Sequence, residues 1–155
     1  MNNHDFKDHK ITYRDIIDKQ GYYIATPIGT SMLPLLRERI DTVKIVKLNR
    51  PLKRGDVILY ERPNNAFLLH RIVRVKGKNE STKYILCGDN QVDLEKYVYP
   101  NQIIGVMEGY YHGEEYISTS DRSYIRYVRR RLNSIWRRKI KRFIAKAYHK
   151  IFKRQ

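Results

Sequence analysis

Charge is sorted along this chain, and that sorting divides what it can fold into. All 16 acidic residues lie in residues 1–121, alongside 18 of the 32 Lys and Arg residues. The other 14 Lys and Arg lie in residues 122–155, with no acid among them. The first part is therefore near +2, and the tail carries +14 of the net +16. Two physically different segments meet near residues 120–123. In the tail, Ile125, Val128, Leu132, Ile135, Trp136, Ile140, Phe143, Ile144, Ala147, Ile151 and Phe152 recur every three or four residues. That is the period of one helix face, with Arg and Lys filling the other. No Gly or Pro interrupts Ser123 to Gln155. A full helix there would be about 48 Å long at 1.5 Å per residue.

A basic amphipathic helix of this kind has three uses. It can lie in a membrane interface, drawn by anionic lipid. It can bind nucleic acid or an acidic partner. It can also pack its apolar stripe on the rest of the protein and leave its charges solvated. Trp and Tyr at the stripe's margins favour the membrane interface, and nucleic acid is the least favoured partner.

The 155 residues suffice for one compact domain plus an appendage, and 41% apolar residues allow a modest core. The single cysteine, Cys87, excludes an internal disulfide. The opening MNNHDFKDHK is polar and charged, unlike a secretory signal. No run approaches the roughly 18 apolar residues of a membrane-spanning helix. These features predict a cytoplasmic protein, peripheral at most on the inner face of the cell membrane.

Residues 1–11 are expected to be disordered. Thr12 caps a short helix reaching Lys19, with Gly21 suited to its left-handed end. Strands are predicted at residues 22–27, 42–48, 57–60, 67–75, 84–87 and 102–110, and residues 31–36 as a turn into a short helical segment. Many short strands between turns predict a mainly β domain over residues 12–121: a coiled antiparallel sheet or small open barrel. The basic helical tail then follows over residues 122–155.

Three motifs occur in order: Gly29-Thr30-Ser31-Met32-Leu33-Pro34, Leu69-His70-Arg71-Ile72-Val73 and Gly88-Asp89-Asn90. A serine hydroxyl is a poor nucleophile and needs a positioned base. The Gly-flanked turn at Ser31 exposes a side chain and its own N–H together, and that N–H can stabilise an oxyanion. His70 lies on an apolar strand that can hold an imidazole rigidly. Its ordinary pKa of about 6.5 suits proton transfer at neutral pH. A carboxylate can then orient the imidazole. His4, His9, His112 and His149 show no ligand spacing, so no metal site and no cofactor is expected.

This set of motifs, together with Gly55-Asp56 between nucleophile and base, resembles signal peptidase I over residues 22–107. The match is to the His-containing branch typical of the endoplasmic reticulum and archaea. The resemblance implies a β endopeptidase fold of the signal peptidase type, with Ser31 as nucleophile and His70 as general base. It implies a groove with oxyanion donors around Thr30, Ser31 and Met32, and small substrate side chains near the cleaved bond. It leaves Asp93 and Asp89 as alternative partners of His70, with Asp93 favoured and Asp89 then structural. Ile40-Asp41 and Gly29 depart from the family pattern, and its amino-terminal membrane anchor is not seen. The expected substrate is a peptide or preprotein carrying a secretory signal or, preferably, a leader segment of a small exported or modified peptide. A self-cleaving repressor of the SOS or phage type is a related rival. It would use Lys as base and carry a helix-turn-helix domain ahead of the peptidase. Two further rivals are a catalytically inactive binding protein on the same fold and a protein whose working part is the tail. The oligomeric state is left open.

Overall fold

The computed structural model describes residues 11–152. Helix α1 (Tyr13–Gln20) begins where Thr12 and Asp15 cap it reciprocally. The Thr12 hydroxyl accepts from the Asp15 N–H at 3.2 Å, and the Asp15 carboxylate accepts from the Thr12 N–H at 2.8 Å. Gly21, at φ 81°, ends the helix in the left-handed conformation, and its N–H bonds the Ile17 carbonyl at 2.8 Å.

Eight strands follow: β1 (Tyr22–Ala25), β2 (Thr42–Val46), β3 (Val57–Glu61), β4 (Phe67–Lys76), β5 (Lys83–Cys87), β6 (Glu95–Val98), β7 (Ile103–His112) and β8 (Glu115–Ser118). They form one antiparallel sheet in the order β1-β2-β7-β3-β4-β5-β6, with β8 paired to β7 off this path. The sheet is open, and β1 and β6 are the ends of the strand order. Its centre is covered on both faces. Val57 packs with Ile17, Leu36 and Met107, whereas its neighbour Ile58 packs with Ile72, Leu86 and Val106. Successive side chains of a strand point to opposite faces, so an unbroken apolar pair here serves two half-cores.

Residues 31–36 do not become the expected short helix. They form successive turns, with Leu33 N–H on the Thr30 carbonyl at 3.2 Å and Leu36 N–H on the Met32 carbonyl at 3.1 Å. The Leu33–Pro34 peptide is cis. Met32, Leu35 and Leu36 are all buried here, so packing into the core governs this segment.

Helix α2 (Arg122–Phe152) contains 31 residues. Its first half docks on the sheet through buried Tyr124 and Ile135, with half-buried Val128 and Leu132 between them. Those four positions fall on one helix face. The helix passes so close to the turn before β3 that a Cβ on Gly55 would stand 3.0 Å from Val128 Cγ1. Farther along, Ile140 and Ile144 are 57% and 60% exposed. The packed reading of the tail therefore holds for its first half. The side chains of Trp136, Phe143, Ala147, Ile151 and Phe152, and the expected disorder of residues 1–10, lie outside the described residues. No described helix is long and apolar enough to cross a membrane.

Candidate active site

Ser31 sits in a turn built from backbone constraints on both sides. Gly29 takes φ 94°, a conformation L side chains avoid, and its N–H donates to Glu38 Oε1 at 2.8 Å. The Ser31 carbonyl accepts the Asn90 N–H at 2.7 Å. A Cβ on Gly88 would stand 2.7 Å from that same carbonyl oxygen. The Gly88-Asp89-Asn90 segment can therefore abut the serine turn only with glycine first. Thr30 is exposed, Ser31 half-buried and Met32 buried. Ser31 and Met32 line a groove of about 250 Å³ whose other walls include Tyr23, Ala25, Phe67 and Leu69.

His70 lies on β4, opposite Ile58 of β3, and is 3% exposed. Burial pushes its imidazole pKa below the ordinary value, and the opposing pull of the Glu95 charge is weaker. Its Nδ1 stands 3.2 Å from the Tyr60 hydroxyl and 3.8 Å from Glu95 Oε2. The Tyr60 hydroxyl donates to Glu95 Oε2. Arg62 grips the same carboxylate with two nitrogens, Nε reaching Oε1 at 2.6 Å. Burial opposes ionisation of Glu95, but the bonds from Arg62 and Tyr60 outweigh it and hold its carboxyl below the usual range. The same burial, with Glu95 beside it, drives the Tyr60 phenol far above its ordinary pKa. His70 Nε2 is buried, and no group among the described residues hydrogen-bonds it.

The serine groove and the histidine cavity are separate. Leu69 lines the Ser31 groove, whereas His70, the next residue of β4, points to the opposite face of the sheet beside Ile58 and Tyr60. Asn90, which holds the Ser31 carbonyl, lines a cavity of about 620 Å³ together with His70, Arg62, Asp93, Glu95 and Arg142.

The two aspartates favoured by motif spacing are engaged elsewhere. Asp89 is fully buried and accepts from Arg71 Nε at 2.7 Å and Nη2 at 2.6 Å. The Tyr127 hydroxyl of α2 also donates to it at 2.9 Å. Arg71 additionally donates to the Gly55 carbonyl at 2.7 Å and to the Tyr124 hydroxyl at 3.1 Å. Asp89 therefore ties the segment behind Ser31 to β4, to the turn before β3 and to α2. Asp56 acts similarly, accepting from Arg50 at 2.8 and 3.0 Å and from the Lys53 N–H at 2.9 Å. Asp93 has an 88% exposed side chain paired with Arg142 at 2.7 Å. The carboxylate on the His70 Nδ1 side is Glu95, a residue the motif reading passed over. It stands on β6, a four-residue strand that the sequence pattern did not single out. The available signal was the aromatic and basic pair Tyr60 and Arg62, near the end of β3 and just beyond it.

Among the described residues no group of three or more His, Cys, Asp and Glu side chains is placed to hold a metal ion. No family model matches this chain, and no curated protein matches it.

Proposed function

We propose that this chain is a serine endopeptidase of the signal peptidase I type, in which His70 activates Ser31. The observation that carries the reading is the state of His70. It is buried, biased toward the neutral form and without an Nε2 partner among the described residues, and it lines a cavity with Asn90, whose N–H holds the Ser31 carbonyl. A neutral imidazole with a bare nitrogen is what a general base requires.

In this mechanism His70 Nε2 takes the Ser31 hydroxyl proton as Oγ attacks the scissile carbonyl. Backbone N–H groups at the Ser31 turn, with the Thr30 hydroxyl, face the developing oxyanion. The imidazolium returns its proton to the leaving amine, and water then releases the acyl group by the same route reversed. The substrate is an exported or modified peptide with a signal or leader segment, and small side chains near the cleaved bond seat against Met32. It lies extended along β1, the end strand whose Tyr23 and Ala25 line the groove, and adds main-chain hydrogen bonds there.

The protein works on the cytoplasmic side of the cell membrane, held peripherally by α2. Exposed Ile140 and Ile144 stand among exposed Arg137, Lys141 and Arg142, a mixture of apolar and basic groups that suits an anionic lipid interface. Nucleic acid would use the charge but not the isoleucines.

The test is mass spectrometry of candidate leader peptides incubated with the parent protein and with Ser31→Ala. Cleavage by the parent and none by the variant supports the reading. Equal cleavage rejects it. A parent that binds a leader peptide but leaves it intact favours a catalytically inactive binding protein on this fold.

A further inference from the structure

The contacts around His70 determine more than its burial; they select which of its two nitrogens carries the proton. Glu95 is held ionised by Arg62 and is therefore acceptor-only. Tyr60 keeps its single phenolic proton and gives it to Glu95 Oε2. That leaves the Tyr60 oxygen only lone pairs to offer to His70 Nδ1 at 3.2 Å. A contact at this distance is favourable only if Nδ1 bears the hydrogen, because two facing lone pairs repel. Nε2 is then the bare nitrogen, the one with no partner among the described residues.

We propose that Tyr60 and Glu95 form a positioning relay for His70: Nδ1–H donates to the tyrosine oxygen, whose own proton is held by the glutamate. The inference rests on the peptidase reading for its catalytic meaning, but the relay itself is a property of the folded chain. It replaces a direct carboxylate–imidazole bond with one passing through a hydroxyl. The direct Nδ1 to Glu95 distance of 3.8 Å is too long for a hydrogen bond. When Nε2 receives the Ser31 proton, both ring nitrogens carry hydrogens and the cation faces Glu95 across the phenol. The ionisable groups facing the ring are Tyr60 and Arg62 from β3 and its end, Glu95 from β6, Asp89 behind it, and Asp93 with Arg142 of α2 at the cavity. Of these, Glu95 and Asp89 favour the cation and Arg62 opposes it.

Two variants separate the relay from simple packing. Tyr60→Phe keeps the ring and removes the oxygen. Glu95→Gln keeps the shape and removes the charge. Long-range proton–nitrogen NMR of histidine-labelled full-length protein, recorded above the His70 pKa, reads the tautomer without any substrate. The parent is expected to show His70 protonated at Nδ1. Tyr60→Phe is expected to lose that preference and to lower kcat about 100-fold at nearly constant KM, within the range a general base contributes. Glu95→Gln is expected to move the acidic limb of kcat/KM to lower pH, because a charge that favours the imidazolium is gone. A parent protonated at Nε2, or a Tyr60→Phe protein with unchanged tautomer, overturns the relay. A parent with the Nδ1–H tautomer that cleaves no leader peptide leaves the relay standing and removes the peptidase reading alone.

Discussion

The Asp89 carboxylate and the Arg71 guanidinium form a two-pronged ion pair, at 2.6 and 2.7 Å, with neither side chain exposed to solvent. Removing one member of such a pair leaves the other charge buried and uncompensated, at a cost of about 3–5 kcal/mol. Asp89→Ala should therefore lose most of the protein's stability in urea unfolding. The double variant Asp89→Leu, Arg71→Met should lose less than Asp89→Ala, because Arg71 is no longer left unpaired, although the largely buried Arg131, 3.9 Å from Asp89, still loses its carboxylate. A double variant as unstable as the single would show that the Arg71 charge is not what Asp89 chiefly balances and would point to Arg131 and the Tyr127 hydroxyl, its other partners.

Gly88 gives a separate prediction. Its substitution by Ala would push a methyl group against the Ser31 carbonyl, 2.7 Å from the ideal Cβ position, and against the Gln91 side chain at 2.9 Å. Overpacking of this kind costs about 1–3 kcal/mol. Because the displaced atom is the backbone of the serine turn, leader-peptide cleavage should fall by more than the lowered melting temperature explains. Unchanged cleavage would mean the turn does not depend on this contact.

Burial lowers the His70 pKa in the folded state relative to the unfolded chain. The unfolded chain therefore binds more protons between the two values, and stability rises with pH through that window. The contribution is fully present above about pH 6.5 and is lost as pH falls toward the lower folded value. Chemical denaturation at a series of pH values should show a loss of stability below pH 6.5 that is smaller in His70→Gln. The acidic limb of kcat/KM should likewise lie below pH 6.5. A limb above that value would contradict the buried, neutral imidazole.

The two halves of α2 should separate by truncation. A chain ending at residue 121 lacks buried Tyr124 and Ile135 and should unfold or aggregate. A chain ending at residue 139 keeps both, and loses the exposed Arg142–Asp93 pair, which contributes about 1 kcal/mol at most. It should remain folded but no longer float with phosphatidylglycerol vesicles. Full vesicle binding by this shorter chain would remove Ile140 and Ile144 from the membrane account.

Much of this architecture was legible from local chemistry. Thr12, Asp15 and Gly21 announce α1 because capping depends on residues a few positions apart. The branched runs at β2, β3, β4, β5 and β7 announce themselves because their apolar residues must face a core. Strands β6 and β8, reading EKYV and EYIS, are short and charged, and each pairs with only one strand. Their strand character comes from the partner strand, which no local pattern reveals. Glu95 was missed for that reason. Spacing from the Gly-Asp-Asn motif pointed to Asp89 and Asp93, whereas pairing of β6 with β5 brings a residue two positions beyond Asp93 to the histidine. The tail's periodicity announced a helix but not where it would leave the domain. That boundary follows from packing rather than from composition: Ile135 is the last buried side chain of the tail among the described residues, and Ile140 and Ile144 beyond it are exposed.

The most direct test of the central claim is covalent labelling of the folded protein by a serine-directed phosphonate, with the adduct mapped by peptide mass spectrometry. A single adduct on Ser31, absent in Ser31→Ala and at least about 100-fold slower in His70→Ala, is the expected result. No adduct in the parent, or the same labelling rate in His70→Ala, would contradict the assignment of His70 as the base that activates Ser31.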